Sequence, residues 1–580
     1  MKSRFLLFVI SVTIIVSCSI SRPEDGSHKV ELYATNDIHG RFFDSLYTDT
    51  TVYPFSVVSV AGYMGNARKR AGEESVVLLD IGDNLQGDNS VFYYNYIDTS
   101  SEHIFSKIVK YLKYDAVTVG NHDIEAGHKV YDKLKNKYSV PYIAANAVSM
   151  KKGKPYFEPY KILNRNGFKI AVIGMTNPNI KKWLSQDLWV GMNFEEIIPS
   201  LQYWVEKVKE KENPDLIVAA LHIGLGDYDI YEMESPARYV AKNVKGLDIL
   251  FAAHDHKTES EYIFNGTDSV LLMEGGSKAS SLSCANVEFG VKDGKVVSKK
   301  IRGENIPMKG VSPDKDYLDY FSADYAKVKT FTNQVAGTLK NRISSADSFF
   351  GPSEYIDMIH SLQLKNSGAE ISFAAPLSFN ITIEPGELNY QDLLNIYPFE
   401  NQLYVIELTG LEIKNYLEYS YSKWINKMNG PNDHLLKLSS DNKNERSKFL
   451  NMYFNFDSAA GIIYEVDVRK GDGERIIIKS LSTGQPFSMD KKYSVALSSY
   501  RASGGGDLLE IGSKISKEEL DKRVIKRLTD IREILFNQLK RDGSIEAVKL
   551  NTWKFVPEDF VKEAAKRDFN LLFSKLPSQL

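Results

Sequence analysis

Between Lys29 and Arg302 the chain alternates short apolar runs with amphipathic stretches, and this alternation constrains the fold more than any other feature. The runs are Val30–Ala34, Ser75–Leu79, Ala116–Val119, Lys169–Ile173, Leu216–Ala220 and Ile249–Ala252. Each is short and mostly apolar, which suits a strand covered on both faces rather than one with a wet side. Among the intervening stretches, Glu102–Lys113 repeats Ile104, Phe105, Ile108, Val109 and Leu112 at helical spacing, with Ser101 placed to cap it. Strands buried on both sides and separated by helices require a layered α/β architecture.

Polar residues concentrate where these runs stop, which is where open α/β folds place their sites. The first run is followed by Asn36-Asp37-Ile38-His39-Gly40 and the second by Asp80-Ile81-Gly82-Asp83-Asn84. The third leads into Gly120-Asn121-His122-Asp123, the fifth into Leu221-His222 and the sixth into His254-Asp255-His256. Five of the ten histidines of the chain fall in these motifs. Carboxylate, imidazole and carboxamide together suit zinc, manganese, cobalt or iron better than calcium. A single Asp-x-His means little and Gly-Asn-His-Asp is more specific. The ordered set is far more specific than either. Asp80 is expected to hydrogen-bond within the site or cap a turn rather than bind metal.

The second half reads as a separate α/β unit. A linker around Ile306–Val335 contains a helix, Tyr317–Lys329, expected to be largely exposed. Ser353 opens a helix that runs to about Asn366, with Gly368 as its stop signal. Leu403–Leu408 is a strand, and Thr409 with Glu412 has capping-box spacing before a helix through Tyr421. Asn426–Lys448 is polar and expected to be a long loop. Lys470-Gly471-Asp472-Gly473 marks a hairpin, and Lys517–Lys540 reads as one charged amphipathic helix. Two stretches combine aromatic and polar or glycine residues: Tyr397-Pro398-Phe399-Glu400-Asn401 and Ser499-Tyr500-Arg501-Ala502-Ser503-Gly504-Gly505-Gly506-Asp507. An aromatic next to glycines can set a ring against a planar ligand while the backbone approaches closely.

The first residues have another purpose. Lys2 and Arg4 precede an apolar run, Phe5–Val16, too short to span a bilayer, which reads as a secretory signal over residues 1–17. Ile15-Val16-Ser17-Cys18 resembles a lipobox, with Cys18 as the acylated first residue of an exported, outer-membrane lipoprotein facing the periplasm or the cell surface. The remaining cysteine, Cys284, sits in an apolar run and is expected in the core. A formal net charge of −3 argues against a nucleic-acid polymer as partner, and the chain is expected to act as a monomer.

The ordered strand-end motifs resemble the calcineurin-like metallophosphoesterases. More narrowly, they resemble the bacterial 5'-nucleotidase family, which includes 2',3'-cyclic-nucleotide 2'-phosphodiesterase/3'-nucleotidases. The resemblance implies an N-terminal four-layer β-sandwich flanked by helices over residues 28–305 and a linker with a helix over 306–330. An α/β substrate-binding domain over 331–545 and a tail over 546–580 complete the chain. It also implies two divalent metals, zinc, manganese or cobalt: one held by Asp37, His39, Asp83 and His256, the other by Asp83, Asn121, His222 and His254. His122 would stabilise the transition state or protonate the leaving group, with Glu125 as its first candidate partner and Asp123 as its second. Phe399 and Tyr500 would clamp a base, with Asn401, Gly504, Gly505 and Asp507 contacting the nucleoside.

Two departures are visible. Ala253 stands where the family usually has glycine, and Leu377–Ile383 lacks the arginine that 5'-nucleotidases commonly carry. Arg342 and Arg501 are candidate substitutes, neither supported by spacing. The expected activity is metal-dependent hydrolysis of nucleotide phosphate esters outside the cytoplasm. The alternatives are a related enzyme acting on a non-nucleotide ester and a non-catalytic surface binding protein. Metals in one domain and a base clamp in the other imply a hinge, expected near the Tyr317–Lys329 helix.

Overall fold

The computed structural model describes residues 22–573 apart from 50, 138–140, 267 and 441–446. The leader and Cys18 lie outside the described residues. Two six-stranded sheets form the centre of the N-terminal half. The first runs Lys295–Pro307, Ser281–Lys292, Gly26–Thr35, Val76–Asp80, Ala116–Thr118, Tyr142–Ile143. The second runs Thr258–Phe264, Ser269–Gly275, Ile249–Phe251, Leu216–Leu221, Phe168–Met175, Tyr160–Arg165.

The sheets bury Val30, Leu32, Val77, Leu79, Val172, Val218 and Phe251 against one another. Helices cover the outer faces: Val57–Ala71 and Ile104–Tyr111 pack over the first sheet, Ile197–Glu212 and Ala237–Asn243 over the second. The four layers expected from the sequence are present. The six apolar runs all form strands, paired in parallel at the centre of each sheet, with Thr35 opposite Asp80 and Ala220 opposite Phe251. Cys284 is buried and free. The helix expected from Glu102 begins at Ile104. It is capped by His103, whose Nδ1 accepts from Phe105 N at 3.1 Å, while Ser101 bonds Asp98 instead.

The linker helix differs from its expectation. It is two helices, Lys315–Tyr320 and Ser322–Thr332, and Tyr317, Phe321 and Val328 are fully buried in the N-terminal core. The Tyr317 hydroxyl donates to Phe42 O at 3.1 Å. The segment is therefore part of the N-terminal body, and the chain leaves that body only after Thr332.

The C-terminal half is built on a five-stranded sheet ordered Ser458–Ala460, Ile371–Ala374, Lys492–Ser498, Gln402–Thr409, Val524–Asp530. The expected caps are in place. Ser353 caps Glu354–Ser367, which Gly368 ends in a left-handed turn, and Thr409 with Glu412 forms a capping box on Gly410–Trp424. The hairpin Ile462–Asp467 with Ile476–Leu481 also forms.

The single helix expected over Lys517–Lys540 is instead a helix, Lys517–Arg523, an edge strand, Val524–Asp530, and a second helix, Ile531–Asp542. The open edge of Gln402–Thr409 recruits the middle segment, overriding its helix propensity. Asp530 then caps the second helix by accepting from Arg532 N and Glu533 N. Residues 546–580, expected as a tail, supply a strand, Trp553–Val556, parallel to Ile462–Asp467, and a helix, Glu558–Phe573, packed into the core.

Candidate active site

Seven strand-end residues converge at one edge where the two sheets meet. Asp37, His39, Asp83 and Asn121 come from loops of the first sheet, and His222, His254 and His256 from the second. The backbone holds them at a conformational cost. Asp37, His39, Asp83, His254 and His256 all have positive φ, between 47° and 88°. A non-glycine residue held there costs on the order of 1–3 kcal/mol, and such residues cluster at functional sites. Asp37 N bonds Gly82 O and His39 N bonds Asp83 O, both at 3.0 Å, so the first two loops lock each other. Gly120 permits the third to join, because a Cβ there would collide with the Asp83 carboxylate and amide.

Two triads can each hold a cation. Ligand atoms of Asp37, His39 and His256, and of Asp83, His222 and His254, lie within 4.8 Å of one another in each group. His222 tests the fit. Its Nδ1 faces Ile81 O at 2.7 Å, which fixes the proton there, while the buried Nε2 has no hydrogen-bond partner. That nitrogen lies 3.0 Å from Asp83 Oδ2 and 4.0 Å from Asp37 Oδ1. His39 and His256 point their Nε2 atoms at each other at 3.1 Å. Burial lowers both below the usual imidazole range, although Asp83 opposes it at His39 and Asp37 at His256. Neutral imidazoles converging on carboxylates are the donor set of a divalent metal centre. Asn121 Oδ1 lies 3.0 Å from His254 Nδ1, beside the second triad. Ala253 is accommodated, its amide bonding Ile223 O at 3.1 Å.

His122 sits beside these groups with its backbone N donating to Asp83 Oδ1 at 2.8 Å. Its Nδ1 makes a short contact to Glu125. Burial disfavours the imidazolium, but Glu125 and then Asp83 outweigh it and raise the group to about 10. Asp123 does not reach His122. Its carboxylate accepts from the amides of Asp83, Asn84, Leu85 and Gly120, making it the brace of the two loops. Asp80 accepts from Thr35 Oγ1, Asn84 Nδ2 and Gly82 N, a bracing role of the kind expected.

A cavity of about 560 Å³ joins this centre to the C-terminal domain. Phe399, Asn401 and Tyr500 line it together with Asp83, Asn121, His122, His254 and His256. Gly504, Gly505 and Asp507 do not. Gly505 backs the Tyr500 ring, which leaves no room for a Cβ there. The Asp507 carboxylate, expected to face a nucleoside, pairs instead with Lys182 of the N-terminal domain. Arg501 lines the cavity, but its guanidinium is occupied by Asp457, Asn455 Oδ1, Gly505 O and Phe454 O. Arg342 lies at the surface near Asp347 and Glu384 and does not line the cavity.

The lining residues to which the sequence assigned no role include Trp183, stacked on His254 at 5.1 Å, Phe454, 6.2 Å from Phe399, and Glu400. The aromatic run Tyr453–Phe456 after a polar loop was the available signal for Phe454. The halves also meet through Gln86 Nε2 to Pro398 O at 3.2 Å, Tyr96 Oη to Glu400 at 2.9 Å, and Ser185 Oγ to Tyr404 Oη at 2.7 Å.

Residues 31–258 match the family of calcineurin-like phosphoesterases, and residues 334–510 match the 5'-nucleotidase C-terminal domain. The chain thus carries a calcineurin-like phosphoesterase domain followed by a 5'-nucleotidase C-terminal domain. It is accordingly a phosphoric ester hydrolase of a class that uses divalent metals. The chain is 25% identical over 91% of its length to the trifunctional nucleotide phosphoesterase protein YfkN of Bacillus subtilis, spanning 39% of that longer protein. It is 23% identical over 85% of its length to a 2',3'-cyclic-nucleotide 2'-phosphodiesterase/3'-nucleotidase of Yersinia enterocolitica, covering 83% of it. The fold is similar to that of a 5'-nucleotidase precursor from Thermus thermophilus, with TM-score 0.62 and 20% identity over 92% of this chain and all of that one. No helix of the described residues is long and apolar enough to cross a membrane.

Proposed function

We propose that this phosphoesterase hydrolyses phosphate esters of nucleotides, as a 5'-nucleotidase, a 2',3'-cyclic-nucleotide phosphodiesterase/3'-nucleotidase, or both. One observation carries the reading: a single cavity is lined on its N-terminal side by His256 from one metal-candidate triad and Asp83 and His254 from the other, and on its C-terminal side by Phe399, Phe454 and Tyr500. A space of that size with a polar end and an aromatic end suits a nucleoside phosphate.

In this reading Asp37, His39, Asp83 and His256 hold one cation and Asp83, Asn121, His222 and His254 the other, with zinc, manganese and cobalt all compatible with the donors. Bound there, a divalent pair supplies a nucleophilic water at neutral pH and offsets phosphoryl charge. The protein supplies the rest. Glu125 fixes His122 through Nδ1, which leaves Nε2 to present a proton to the leaving oxygen in the cavity. Phe399 and Tyr500 hold the base, and Asn401 reads a polar edge. The leader and Cys18 support export and a lipid anchor, with phosphate and nucleoside released outside the cytoplasm for salvage.

The test is phosphate release by residues 19–580 with manganese or zinc, comparing 5'-AMP, 3'-AMP and 2',3'-cyclic AMP. A phosphatase is added to reveal monoester made from the cyclic substrate. Turnover that disappears in Asp83→Asn supports the proposal and ranks the substrates. Silence on all three with metal bound would transfer the reading to a non-nucleotide ester.

A further inference from the structure

Arg501 lines the cavity, and the chemistry above gives it no task. It follows Tyr500 in the short helix Ser499–Ala502 and is 4% exposed. All five of its N–H donors are occupied. Nε reaches Asp457 Oδ1 and Oδ2, both at 3.1 Å, and Nη2 donates to Asp457 Oδ1 at 2.7 Å. Nη2 also donates to Phe454 O at 2.6 Å, while Nη1 donates to Asn455 Oδ1 at 2.9 Å and Gly505 O at 3.1 Å. The guanidinium carbon lies 5.1 Å from the centre of the Tyr500 ring. Arg501 thus has no donor left for a phosphate. It ties together two segments that each carry an aromatic wall of the cavity.

Those segments leave the sheet from strands that are not neighbours. Asp457 precedes Ser458–Ala460 and Arg501 follows Lys492–Ser498, with Ile371–Ala374 between the two strands. Ladder hydrogen bonds therefore do not set the distance from Phe454 to Tyr500, and the fork of Arg501 does. The carboxylate end of this brace is itself fixed: Asp457 is buried, and its Oδ2 accepts from Tyr416 Oη at 2.5 Å. The glycine turn closes tightly round the other end. A Cβ on Gly506 would come within 2.6 Å of Arg501 Nη1 and 2.5 Å of Asn455 Oδ1. A lysine in place of Arg501 could pair with Asp457, but a point charge on a flexible stem cannot hold Phe454 O and Gly505 O at the same time.

We propose that Arg501 is a positioning residue: braced by Asp457, it sets the gap between Phe454 and Tyr500 that receives the base of the substrate, which makes Phe454 a wall of the base site. This rests on the nucleotide reading above and adds to it the residue pair that spaces its rings.

The experiment is a double-mutant cycle on the manganese-loaded protein with Arg501→Lys, Phe454→Ala and the two combined. It reads kcat and KM for the nucleotide that the assay above ranks first and for glycerol phosphate, which has no ring. Arg501→Lys is expected to lower the nucleotide-to-glycerol phosphate ratio of kcat/KM about tenfold, mostly through the nucleotide KM, as the loss of one stacking contact would. In the Phe454→Ala protein the same substitution should lower the ratio by less than about threefold, because the two residues act as a unit. Asp457→Asn weakens the brace from its other end and should give the same pattern, which keeps the test decisive if the lysine variant does not fold. A ratio unchanged in folded Arg501→Lys would overturn the inference and leave the nucleotide reading standing. An equal loss with and without Phe454 would also overturn it, since Arg501 would then act through something else. A loss shared equally by both esters would do the same, since the pair would then only support the fold. Turnover of glycerol phosphate with no nucleotide hydrolysed would overturn both readings together.

Discussion

His222 holds its buried Nε2 3.0 Å from Asp83 Oδ2 while Ile81 O fixes its other nitrogen at 2.7 Å. The backbone carbonyl selects the tautomer, so the nitrogen facing Asp83 is the one that carries a lone pair. A lone pair against a carboxylate is repulsive unless a cation or a proton lies between them. Burial opposes the imidazolium, but Asp83 prevails and raises His222 to about 9, the direction in which a neighbouring positive charge is favoured at this nitrogen.

Metal binding should therefore stabilise the fold. At a free metal concentration about a hundred times Kd, the linkage contributes about 2.7 kcal/mol. Thermal unfolding of chelator-treated protein, with and without manganese, measures it. Asp83→Asn, which removes the shared carboxylate, should lose most of the manganese-dependent rise in Tm. An undiminished rise in that variant would place the cations elsewhere.

The aromatic end makes a different prediction. Stacking of a base on one aromatic contributes about 1–3 kcal/mol. Phe399→Ala and Tyr500→Ala should each lower kcat/KM for a nucleoside phosphate by about 5- to 150-fold. Glycerol phosphate, which has no ring, should be turned over equally by parent and variants. Phe454→Ala should act in the same direction. Equal losses on both substrates would mean that the rings support the fold rather than the ligand.

What the sequence disclosed follows from where the information resides. Asp37, Asp83, His222 and His254 were legible because each follows an apolar strand run, and a parallel sheet brings such ends together. The Thr409 and Ser353 caps were legible because capping is local. Val524–Asp530 was misread as helix because its strand state depends on the distant open edge of Gln402–Thr409. Tyr317 was expected near the surface because its partner, Phe42 O, lies far away in the chain. Asp507 was assigned to the ligand because nothing near it in sequence announces Lys182.

Gly505 offers a test of how finely the clamp is set. A Cβ there would enter the contact distance of the Tyr500 ring, whereas one at Gly430 meets nothing within 4 Å. Gly505→Ala should displace the ring and lower nucleotide kcat/KM by about tenfold or more, since a misplaced group costs catalysis steeply. Gly430→Ala should leave it unchanged. A Gly505→Ala enzyme with parental KM would show that the ring adapts without loss.

A last prediction concerns pH. Asp255 Oδ1 and Glu274 Oε2 are both buried and, as two carboxylates, both lack a partner. A proton on Glu274 resolves both, because the acid then donates to Asp255 while its other oxygen accepts from Lys257 N at 3.0 Å. Burial, with Asp255 adding to it, raises Glu274 to about 11. A carboxyl raised on folding contributes stability that is complete below its ordinary value and is lost as pH rises toward the folded value. The parent should therefore lose stability steadily from about pH 5 upward through this group. Glu274→Gln replaces the protonated acid by an amide that donates and accepts at the same positions but does not titrate. The two proteins should have similar Tm near pH 5, and the variant should gain on the parent as pH rises to about 9. Parallel Tm curves across that range would mean that Glu274 is ionised in the fold and that the two orphaned oxygens are satisfied by something other than a shared proton.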